Sequence, residues 1–303
     1  MTKNKPKIED DFAFAPPPPM DTSHIKRKWL DIPYAEKSAA QKLDIYLPNK
    51  GNGPFPVLAT LHGGAWMFGD KGDDFNLPFL EGLKRGYAVA CINYRLSDEA
   101  HFPSQIYDCK AAIRYLRTNA AEYHLDGAHI GAWGASAGGH LAALLGTSTK
   151  VRGLEDASMR NSRTRLSSRV QAVAVWYGPL EDFLKMDEQL AKSGAGLPDH
   201  SSEDSPESKL LGRKITDVPA LVKFASPMTY IKPKVPPFLI QHGLKDGIVP
   251  VEQSIHFATQ MEKIAGRDRV TLEILKDADH GDPLFHTPKN LRRVLDFFDL
   301  HLK

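Results

Sequence analysis

The sequence HIGAWGASAGGHLAALLGT, which runs from His129 to Thr147, carries the clearest structural pattern in this chain. An apolar run leads into the motif Gly134-x-Ser136-x-Gly138, and the small and apolar residues that follow it predict a helix. Strand, sharp turn and helix in this order suit a nucleophilic serine, because the flanking glycines let the strand and helix backbones pass without Cβ clashes. A serine that merely capped the helix would not need those glycines. Ser136 is therefore predicted to project from a strained turn at the end of a strand.

On both sides of this stretch, continuous apolar runs alternate with amphipathic segments. Such runs, separated by helices, predict a mostly parallel sheet that helices cover on both faces. The predicted parallel strands are VLATLH (57–62), YAVACINY (87–94), HIGAWGA (129–135), VQAVAVWYG (170–178), PFLIQHG (237–243) and VTLEILK (270–276). The predicted helices are LPFLEGLKRG (77–86), SQIYDCKAAIRYLRTNAAEY (104–123), AGGHLAALLGT (137–147), VEQSIHFATQMEKIAG (251–266) and NLRRVLDFFDLHL (290–302). The pattern predicts an α/β fold, whose ligands bind at the carboxyl ends of the strands.

The rest of the chain is expected to add an arm, two edge strands and an insertion. The proline run APPPPM (15–20) predicts an extended segment, so residues 1–24 are expected to form a Pro-rich arm outside the sheet. Two short runs with partial alternation, IKRKWLDIPY (25–34) and KLDIYLP (42–48), are typical of edge strands. Residues 25–303 are expected to form one domain. A long polar stretch at about 182–232 is expected to be either a lid over the strand ends or a surface excursion.

Composition is that of an ordinary globular protein. Of 303 residues, 42% are hydrophobic and 25% charged, and a net charge of +2 gives no electrostatic reason to expect a nucleic acid or an anionic membrane as partner. The N-terminus MTKNKPKIED lacks the apolar core of a secretory signal, and no apolar run approaches the roughly 20 residues that span a bilayer. The expected location is the cytoplasm, unless a leader has been removed. Cys91 and Cys109 lie in apolar runs and are expected to be buried, reduced thiols.

The serine needs a base to take its proton, and the base needs an acid to orient it. Asp246, in LKDGIVP, follows one predicted strand, and His280, in DADHGD, follows the next. The chain order serine, aspartate, histidine is typical of catalytic triads on a sheet of this kind. Ser136, Asp246 and His280 are therefore the predicted triad. Asp182, in YGPLED, follows another strand and stays an alternative for the acid.

The other histidines and the aspartates near His280 fit structural roles. His62 and His242 end strands and are expected to brace turns, and His140 is expected to point into the helix packing. The remaining ones are expected at helix or surface positions or to solvate the loop around His280: His256, His286, His301, Asp277, Asp279 and Asp282. No set of His, Cys and carboxylates has the spacing of a zinc site, so neither a metal nor a cofactor is expected.

The stretch LHGGAWMFGD, from Leu61 to Asp70, follows another predicted strand and supplies residues without bulky side chains. Attack on an ester carbonyl creates an oxyanion, which backbone N–H groups aimed at it stabilise. Gly64 and Ala65 can offer their N–H groups because nothing large shields them, and Ala137, the residue after the serine, offers another. These residues are the predicted oxyanion hole.

Together these motifs resemble serine esterases of the α/β-hydrolase fold, especially the bacterial feruloyl and acetyl xylan esterase group and the hormone-sensitive-lipase-like carboxylesterases. The resemblance extends from about Ile25 to Lys303. It rests, in order, on HGGAW, GYAVACINYRLS, FPSQIYDCKAAIRYLR, GASAGGHLAALLG, VWYGPLEDF, ASPMTYI, PPFLIQHGLKDGIVP and DADHG. It implies an α/β-hydrolase fold with a mostly parallel eight-stranded sheet, helices on both faces and a lid-like insertion.

The resemblance also implies residue roles. The implied site residues are Ser136 as nucleophile, Asp246 and His280 as its relay, Gly64, Ala65 and Ala137 as the oxyanion hole, and Trp66 at the border of the substrate pocket. Asp108 and Arg95 match positions of a structural network. Ala65 departs from the pattern, because many relatives have a third glycine there. Its N–H remains usable unless the position requires a positive φ.

The expected activity is hydrolysis of short-chain or carbohydrate-linked esters, acetyl or feruloyl, through an acyl-enzyme. Ala135, Ala137 and Trp66 suit a pocket with a small acyl side and an aromatic wall. The expected partner is a small-molecule or oligosaccharide ester, with no nucleic acid and no membrane. Three alternatives stay open: a kynurenine-formamidase-like amide hydrolase, a prolyl-oligopeptidase-type peptidase, and a ligand-binding protein without catalysis. The presence of all three triad residues argues against the last.

Overall fold

Eight strands form a single mixed sheet in the computed structural model, which describes residues 17–156 and 166–303. The order across the sheet is β1-β2-β4-β3-β5-β6-β7-β8; β2 is antiparallel to both β1 and β4, and every other pair is parallel. The strands are β1 (Lys28–Pro33), β2 (Lys42–Tyr46), β3 (Phe55–Leu61), β4 (Ala88–Ile92), β5 (Leu125–Ala135), β6 (Ala172–Trp176), β7 (Phe238–Gly243) and β8 (Val270–Leu275). Every predicted strand is present. However, β2 lies inside the sheet, so of the two predicted N-terminal edge strands only β1 is one.

The α-helices of the described residues are α1 (Ser104–Thr118), α2 (Ala137–Thr147), α3 (Met186–Ser193), α4 (Pro206–Leu211), α5 (Pro219–Ala225), α6 (Glu252–Ala265) and α7 (Pro288–Leu302). Two predicted helices differ. The one predicted over 77–86 is a 3₁₀ helix, Asp74–Arg85, with Pro78 inside it, which has no N–H to donate. The one predicted to reach Tyr123 ends at Thr118, where the side-chain amide of Asn119 caps the Tyr115 carbonyl. In the described ranges, no helix is long and apolar enough to cross a bilayer.

The buried side chains form two layers, one on each face of the sheet. Successive strand residues point to opposite faces, so Val57 belongs to the buried layer that includes residues of α1, α2 and α6, whereas Leu58 belongs to the layer that includes residues of α7 and the 3₁₀ helix. All five residues of β4 are buried, as expected for a strand covered on both sides. Both cysteines are buried and unpaired, as predicted, and burial raises the pKa of the Cys91 thiol to about 12.

The turn from β5 to α2 depends on very close backbone contacts. An ideal Cβ on Gly134 would lie 2.2 Å from the Gly138 carbonyl oxygen, and one on Gly138 would lie 2.1 Å from the Leu61 carbonyl oxygen. Between them, Ser136 has φ 53° and ψ −122°, and its side chain makes no capping hydrogen bond to the helix. The glycines therefore allow β3, β5 and α2 to meet, and Ser136 takes the strained turn that the sequence predicts.

The segment expected as an insertion, at about 182–232, contains α3, α4 and α5 together with short 3₁₀ turns, and it contacts α2 and the loop after β7. Ala225, at the end of α5, accepts a hydrogen bond from Nε2 of His140 in α2 (2.8 Å). Gly196 lies against the loop after β7, because an ideal Cβ there would be 1.8 Å from the Gly247 carbonyl oxygen. The insertion thus has direct backbone contact with this loop.

His200 adds a polar link between the insertion and the same loop. Its Nε2 donates to the Ile248 carbonyl (2.9 Å), and its Nδ1 lies 3.1 Å from a carboxylate oxygen of Glu207. Both side chains are buried. Burial alone would lower the pKa of His200, but the Glu207 carboxylate outweighs it and raises the pKa to about 8. His200 is therefore charged at neutral pH.

The end of the predicted N-terminal arm contacts the loop after β3. Met20 N–H donates to the Gly72 carbonyl (2.6 Å), and Asp74 N–H donates to the Pro18 carbonyl (3.0 Å). Met20 itself is buried. Residues 1–16 of the expected arm lie outside the described residues.

The close backbone contact at the β5–α2 turn predicts that a methyl group added at Gly134 lowers the free energy of unfolding. Gly134→Ala places a Cβ 2.2 Å from a backbone oxygen, so β5 or α2 has to shift. We expect a loss of about 2 kcal/mol or more in the free energy of unfolding, measured by urea denaturation. Gly63→Ala is the matched control, since its Cβ would lie 3.4 Å from the nearest backbone oxygen, an ordinary contact. Equal stability of the two variants would contradict this account of the turn.

The His200–Glu207 pair predicts a pH-dependent stability. The folded pKa of His200, about 8, lies above the usual 6.5, so its contribution is complete below pH 6.5 and is lost as the pH rises through about 8. That difference corresponds to about 2 kcal/mol. We expect His200→Gln to lose about 2 kcal/mol more, relative to wild type, at about pH 5.5 than at about pH 9.5. Urea denaturation at both pH values measures this, and an equal loss at both would refute it.

Candidate active site

The structure brings together the three residues predicted as a triad, each from a loop at the carboxyl end of a different strand. His280 Nε2 lies 3.0 Å from Ser136 Oγ, and His280 Nδ1 lies 2.8 Å from Asp246 Oδ2. Ser136 follows β5, Asp246 follows β7 and His280 follows β8. The imidazole therefore bridges the hydroxyl and the carboxylate, with Nδ1–H donating to Asp246 and Nε2 free to accept the serine proton.

The Asp246 carboxylate is almost completely buried, and donors surround it. Oδ1 accepts hydrogen bonds from the N–H groups of Ile248 (3.0 Å) and Val249 (2.8 Å). Oδ2 faces two imidazoles, His280 at 2.8 Å and Nε2 of His242 at 3.2 Å. Burial by itself would raise the pKa of Asp246, but the contacts with His242 and His280 outweigh it and hold the pKa well below its usual range. Asp246 is thus ionised and fixed in place.

Asp182, the alternative acid, lies at the start of the 3₁₀ turn that follows β6. Its Oδ1 accepts a hydrogen bond from Leu184 N–H and caps the 3₁₀ turn Phe183–Lys185.

Asp279, expected only to solvate its loop, has a contact that the sequence did not indicate. Its Oδ1 accepts from the N–H of His280 (2.6 Å) and from the N–H of Gly247 (3.1 Å). Asp279 therefore joins the loop that carries the histidine to the loop that carries the acid.

The predicted oxyanion loop turns sharply after β3. Met67 and Phe68 N–H groups donate to the Gly64 carbonyl (2.9 and 3.0 Å), which closes the turn. Within residues 17–156 and 166–303, the N–H groups of Gly64 and Ala65 have no hydrogen-bond partner. Ala137 is the first residue of α2, where N–H groups lack a partner inside the helix. All three predicted donors are therefore on loops or helix ends beside Ser136.

The backbone conformation of this loop shows whether the position of Ala65, where many relatives have glycine, requires a positive φ. Gly64, Ala65 and Trp66 have φ values of 102°, 52° and 58°. The position does use a positive φ, but alanine adopts it, so the Ala65 N–H stays a candidate donor. Alanine and tryptophan adopt this left-handed conformation at a cost of about 1–2 kcal/mol each. The turn is thus held in a strained shape by its surroundings.

Trp66 requires a correction. The sequence predicted it as a wall of the substrate pocket, but its ring is only 2% exposed and packs against His140 and Phe183, with centroids 5.2 and 5.8 Å away. These two contacts place the ring between α2 and the start of the insertion. The exposed large side chains of the loop are instead those of Met67 and Phe68.

Two residues next to the triad were missed as site residues. His242 was predicted to brace a turn, and its Nε2 does contact the Val249 carbonyl (2.9 Å), but the same atom also faces Asp246. Tyr177 packs its ring edge-on against the His280 imidazole, with centroids 4.7 Å apart, and has φ 37°. The only sequence signal for either was its place at the end of a predicted strand.

The other predicted structural roles involve buried groups. His140 is fully buried; burial lowers its pKa to about 4 despite the bond to Ala225, so the ring is neutral. His62 stacks on Tyr94, with centroids 4.4 Å apart. The Arg95 guanidinium donates two hydrogen bonds to the Asp108 carboxylate (2.8 and 2.7 Å), which is the network that the resemblance implied.

Comparison with known proteins finds one matching family model and curated relatives whose names describe ester hydrolysis. The BD-FAE family model matches residues 43–261. The Esterase LipQ of Mycobacterium tuberculosis is 31% identical over 262 residues, which cover 86% of this chain and 58% of LipQ. The probable carboxylic ester hydrolase LipM of the same organism is 31% identical, with 85% and 58% covered. The chain therefore spans about three fifths of the length of these curated relatives.

Solved structures agree with the fold. A truncated form of a carbohydrate esterase from gut microbiota has a TM-score of 0.80 and 30% identity, covering 93% of this chain and 99% of that one. A bifunctional GH43-CE protein of Bacteroides eggerthii has a TM-score of 0.81 and 34% identity, covering 91% of this chain and 35% of that one. The predicted α/β-hydrolase fold is confirmed. By the family match over most of its length, this chain belongs to the BD-FAE family.

Proposed function

We propose that this protein is a serine carboxylic-ester hydrolase that works through an acyl-enzyme on short-chain or carbohydrate-linked esters, with acetyl or feruloyl as the acyl group. One observation carries the proposal: His280 Nε2 is 3.0 Å from Ser136 Oγ while its Nδ1 is 2.8 Å from Asp246 Oδ2. Both distances suit proton transfer between a nucleophile and an oriented base.

The first half-reaction transfers the acyl group to the enzyme. Ser136 Oγ attacks the ester carbonyl carbon as its proton passes to His280 Nε2. The carbonyl oxygen becomes an oxyanion, to which the N–H groups of Gly64, Ala65 and Ala137 donate. The tetrahedral intermediate then collapses, the carbon–oxygen bond to the alcohol breaks, and the alcohol leaves with the proton from His280. Ionised Asp246 stabilises the imidazolium that exists between these two transfers.

The second half-reaction releases the acid. Water takes the place of the alcohol and loses a proton to His280 Nε2 as it attacks the acyl carbon. The same N–H groups stabilise the second oxyanion. Collapse of this intermediate breaks the bond to Ser136 Oγ, which recovers its proton from His280. The carboxylic acid leaves, and the serine, histidine and aspartate are again in their starting states.

The substrate class draws support from the names of similar proteins and from the site. Of the similar proteins, one is named an esterase and another a probable carboxylic ester hydrolase, and one similar structure is named a carbohydrate esterase. The strained loop at Gly64 and Ala65 holds its donors in position before substrate binds, which favours stabilisation of a developing oxyanion.

Removal of the nucleophile gives the most direct test. We expect Ser136→Ala to lower turnover of p-nitrophenyl acetate by about 10⁴-fold or more, because no other group can form the acyl-enzyme. Steady-state rates measure the effect, and thermal unfolding checks that the variant is folded. Ser38→Ala, in the turn before β2, is the control and should keep full activity. If Ser136→Ala retained most of the activity, the proposed role of Ser136 would be wrong.

The two candidate acids give the second test. Asp246 contacts His280, whereas Asp182 caps a 3₁₀ turn. We expect Asp246→Asn to lower kcat by about 10³-fold or more, because the amide does not hold the required tautomer of His280. Asp182→Asn should change kcat by no more than about threefold. The opposite ranking would assign the acid to the loop after β6.

A further inference from the structure

His200, a buried histidine of the insertion, reaches the loop that carries the proposed acid. Its Nε2 donates to the Ile248 carbonyl (2.9 Å). That carbonyl shares a peptide group with the N–H of Val249, which donates to Asp246 Oδ1 (2.8 Å). Hydrogen bonds on opposite sides of one peptide group polarise it in the same direction and strengthen each other. His200 is therefore joined to the acid through a single peptide group.

Two helices of the insertion hold His200 in this position. Asp187, in α3, accepts the N–H of His200 on Oδ1 (2.8 Å) and the N–H of Ser201 on Oδ2 (2.9 Å). Glu207, in α4, is itself buried and places a carboxylate oxygen 3.1 Å from His200 Nδ1. Both carboxylates favour the cationic form of the histidine. On the third side, the acid loop presents the Ile248 carbonyl and, beyond that peptide, the carboxylate of the proposed acid.

The two oxygens around the ring decide the protonation state that suits it. The Ile248 carbonyl lies against Nε2 of His200, and the Glu207 carboxylate lies against Nδ1. A neutral imidazole has one N–H and one lone pair, so either tautomer turns a lone pair towards one of these acceptors. The imidazolium has two N–H groups and suits both. The contact with the acid loop therefore depends on the charge of His200.

The insertion and the acid loop also meet at the backbone. An ideal Cβ on Gly196 would lie 1.8 Å from the Gly247 carbonyl oxygen, and one on Gly247 would lie 2.6 Å from the Ala195 carbonyl oxygen. This approach does not depend on charge, so it keeps the two segments together when His200 loses its proton. The change on deprotonation is then centred on the peptide between Ile248 and Val249.

We infer that charged His200 is a positioning residue for the proposed reaction, because its bond to the Ile248 carbonyl orients the peptide that fixes Asp246. The inference rests on the proposed function, since it acts through Asp246 on His280 and Ser136. It gives the insertion a role in positioning the acid, in addition to any covering of the site. It also makes ester hydrolysis depend on a proton that the acyl transfer neither donates nor accepts.

The pH dependence of turnover tests this role. Burial lowers the pKa of His200, but the Glu207 carboxylate outweighs it and raises the pKa to about 8, so the proton is lost as the pH rises through that value. We expect kcat for p-nitrophenyl acetate, corrected for spontaneous hydrolysis, to fall about tenfold between about pH 7 and about pH 9.5, because the acid loses its support. His200→Gln offers the Ile248 carbonyl an N–H donor at every pH and should remove this fall.

Two further variants separate positioning from a general effect on the fold. Glu207→Gln leaves burial to lower the pKa of His200 unopposed, so the fall in kcat should move to lower pH by about one unit or more. His256→Gln is the matched control, because His256 also pairs with a buried carboxylate, that of Glu181 (2.7 Å), but lies in α6. It should keep the wild-type profile. Thermal unfolding at each pH shows which proteins are folded.

Each outcome decides the assignment. A fall that is absent from His200→Gln, displaced in Glu207→Gln and kept in His256→Gln supports it. A constant kcat in the wild type, a fall shared by His200→Gln, or a fall that coincides with unfolding would overturn it and leave the esterase proposal intact. If His200→Gln does not fold, Glu207→Gln decides, and an unmoved fall refutes the role. A wild-type protein without ester hydrolysis would overturn the proposed function and this inference with it.

Discussion

The close approach of three backbone segments at the β5–α2 turn is the constraint on which the rest of the structure depends. Neither Gly134 nor Gly138 has room for a Cβ, because an ideal Cβ on either would lie 2.2 or 2.1 Å from a backbone carbonyl oxygen. This close approach brings the proposed oxyanion loop after β3 next to Ser136, and the first N–H of α2 lies beside that serine. Because β5, β6, β7 and β8 are parallel, they end at the same edge of the sheet, and the loops that carry Asp246 and His280 lie at the same edge as Ser136.

A second constraint follows from the buried carboxylate at that edge. An ionised Asp246 without donors would be very costly inside the protein, and two backbone N–H groups and two imidazoles offset that cost. The loop that supplies the N–H groups is itself held by the insertion, through Gly196 and through the charged His200. The insertion therefore contributes to the geometry around the proposed acid.

The sequence predicted the parts of this site that depend on chain order and failed where tertiary contacts decide. Ser136, Asp246 and His280 could be found because each follows an apolar run that predicts a buried strand. The burial of Trp66 and the positive φ of Ala65 could not, because they depend on what the insertion and α2 place around the loop. Pro78 explains the 3₁₀ helix only in retrospect, since proline near a helix start is usually tolerated. The polar insertion has no periodicity, so its short helices gave no signal.

Asp279 has a mechanical consequence for the site. Its single oxygen holds the N–H of His280 and the N–H of Gly247, the residue next to Asp246. The two loops are thereby tied at a point that takes no part in proton transfer. Displacement of one loop therefore stretches a hydrogen bond to the other, so Asp279 couples the position of Asp246 to that of His280 without involving the atoms between which the proton would move.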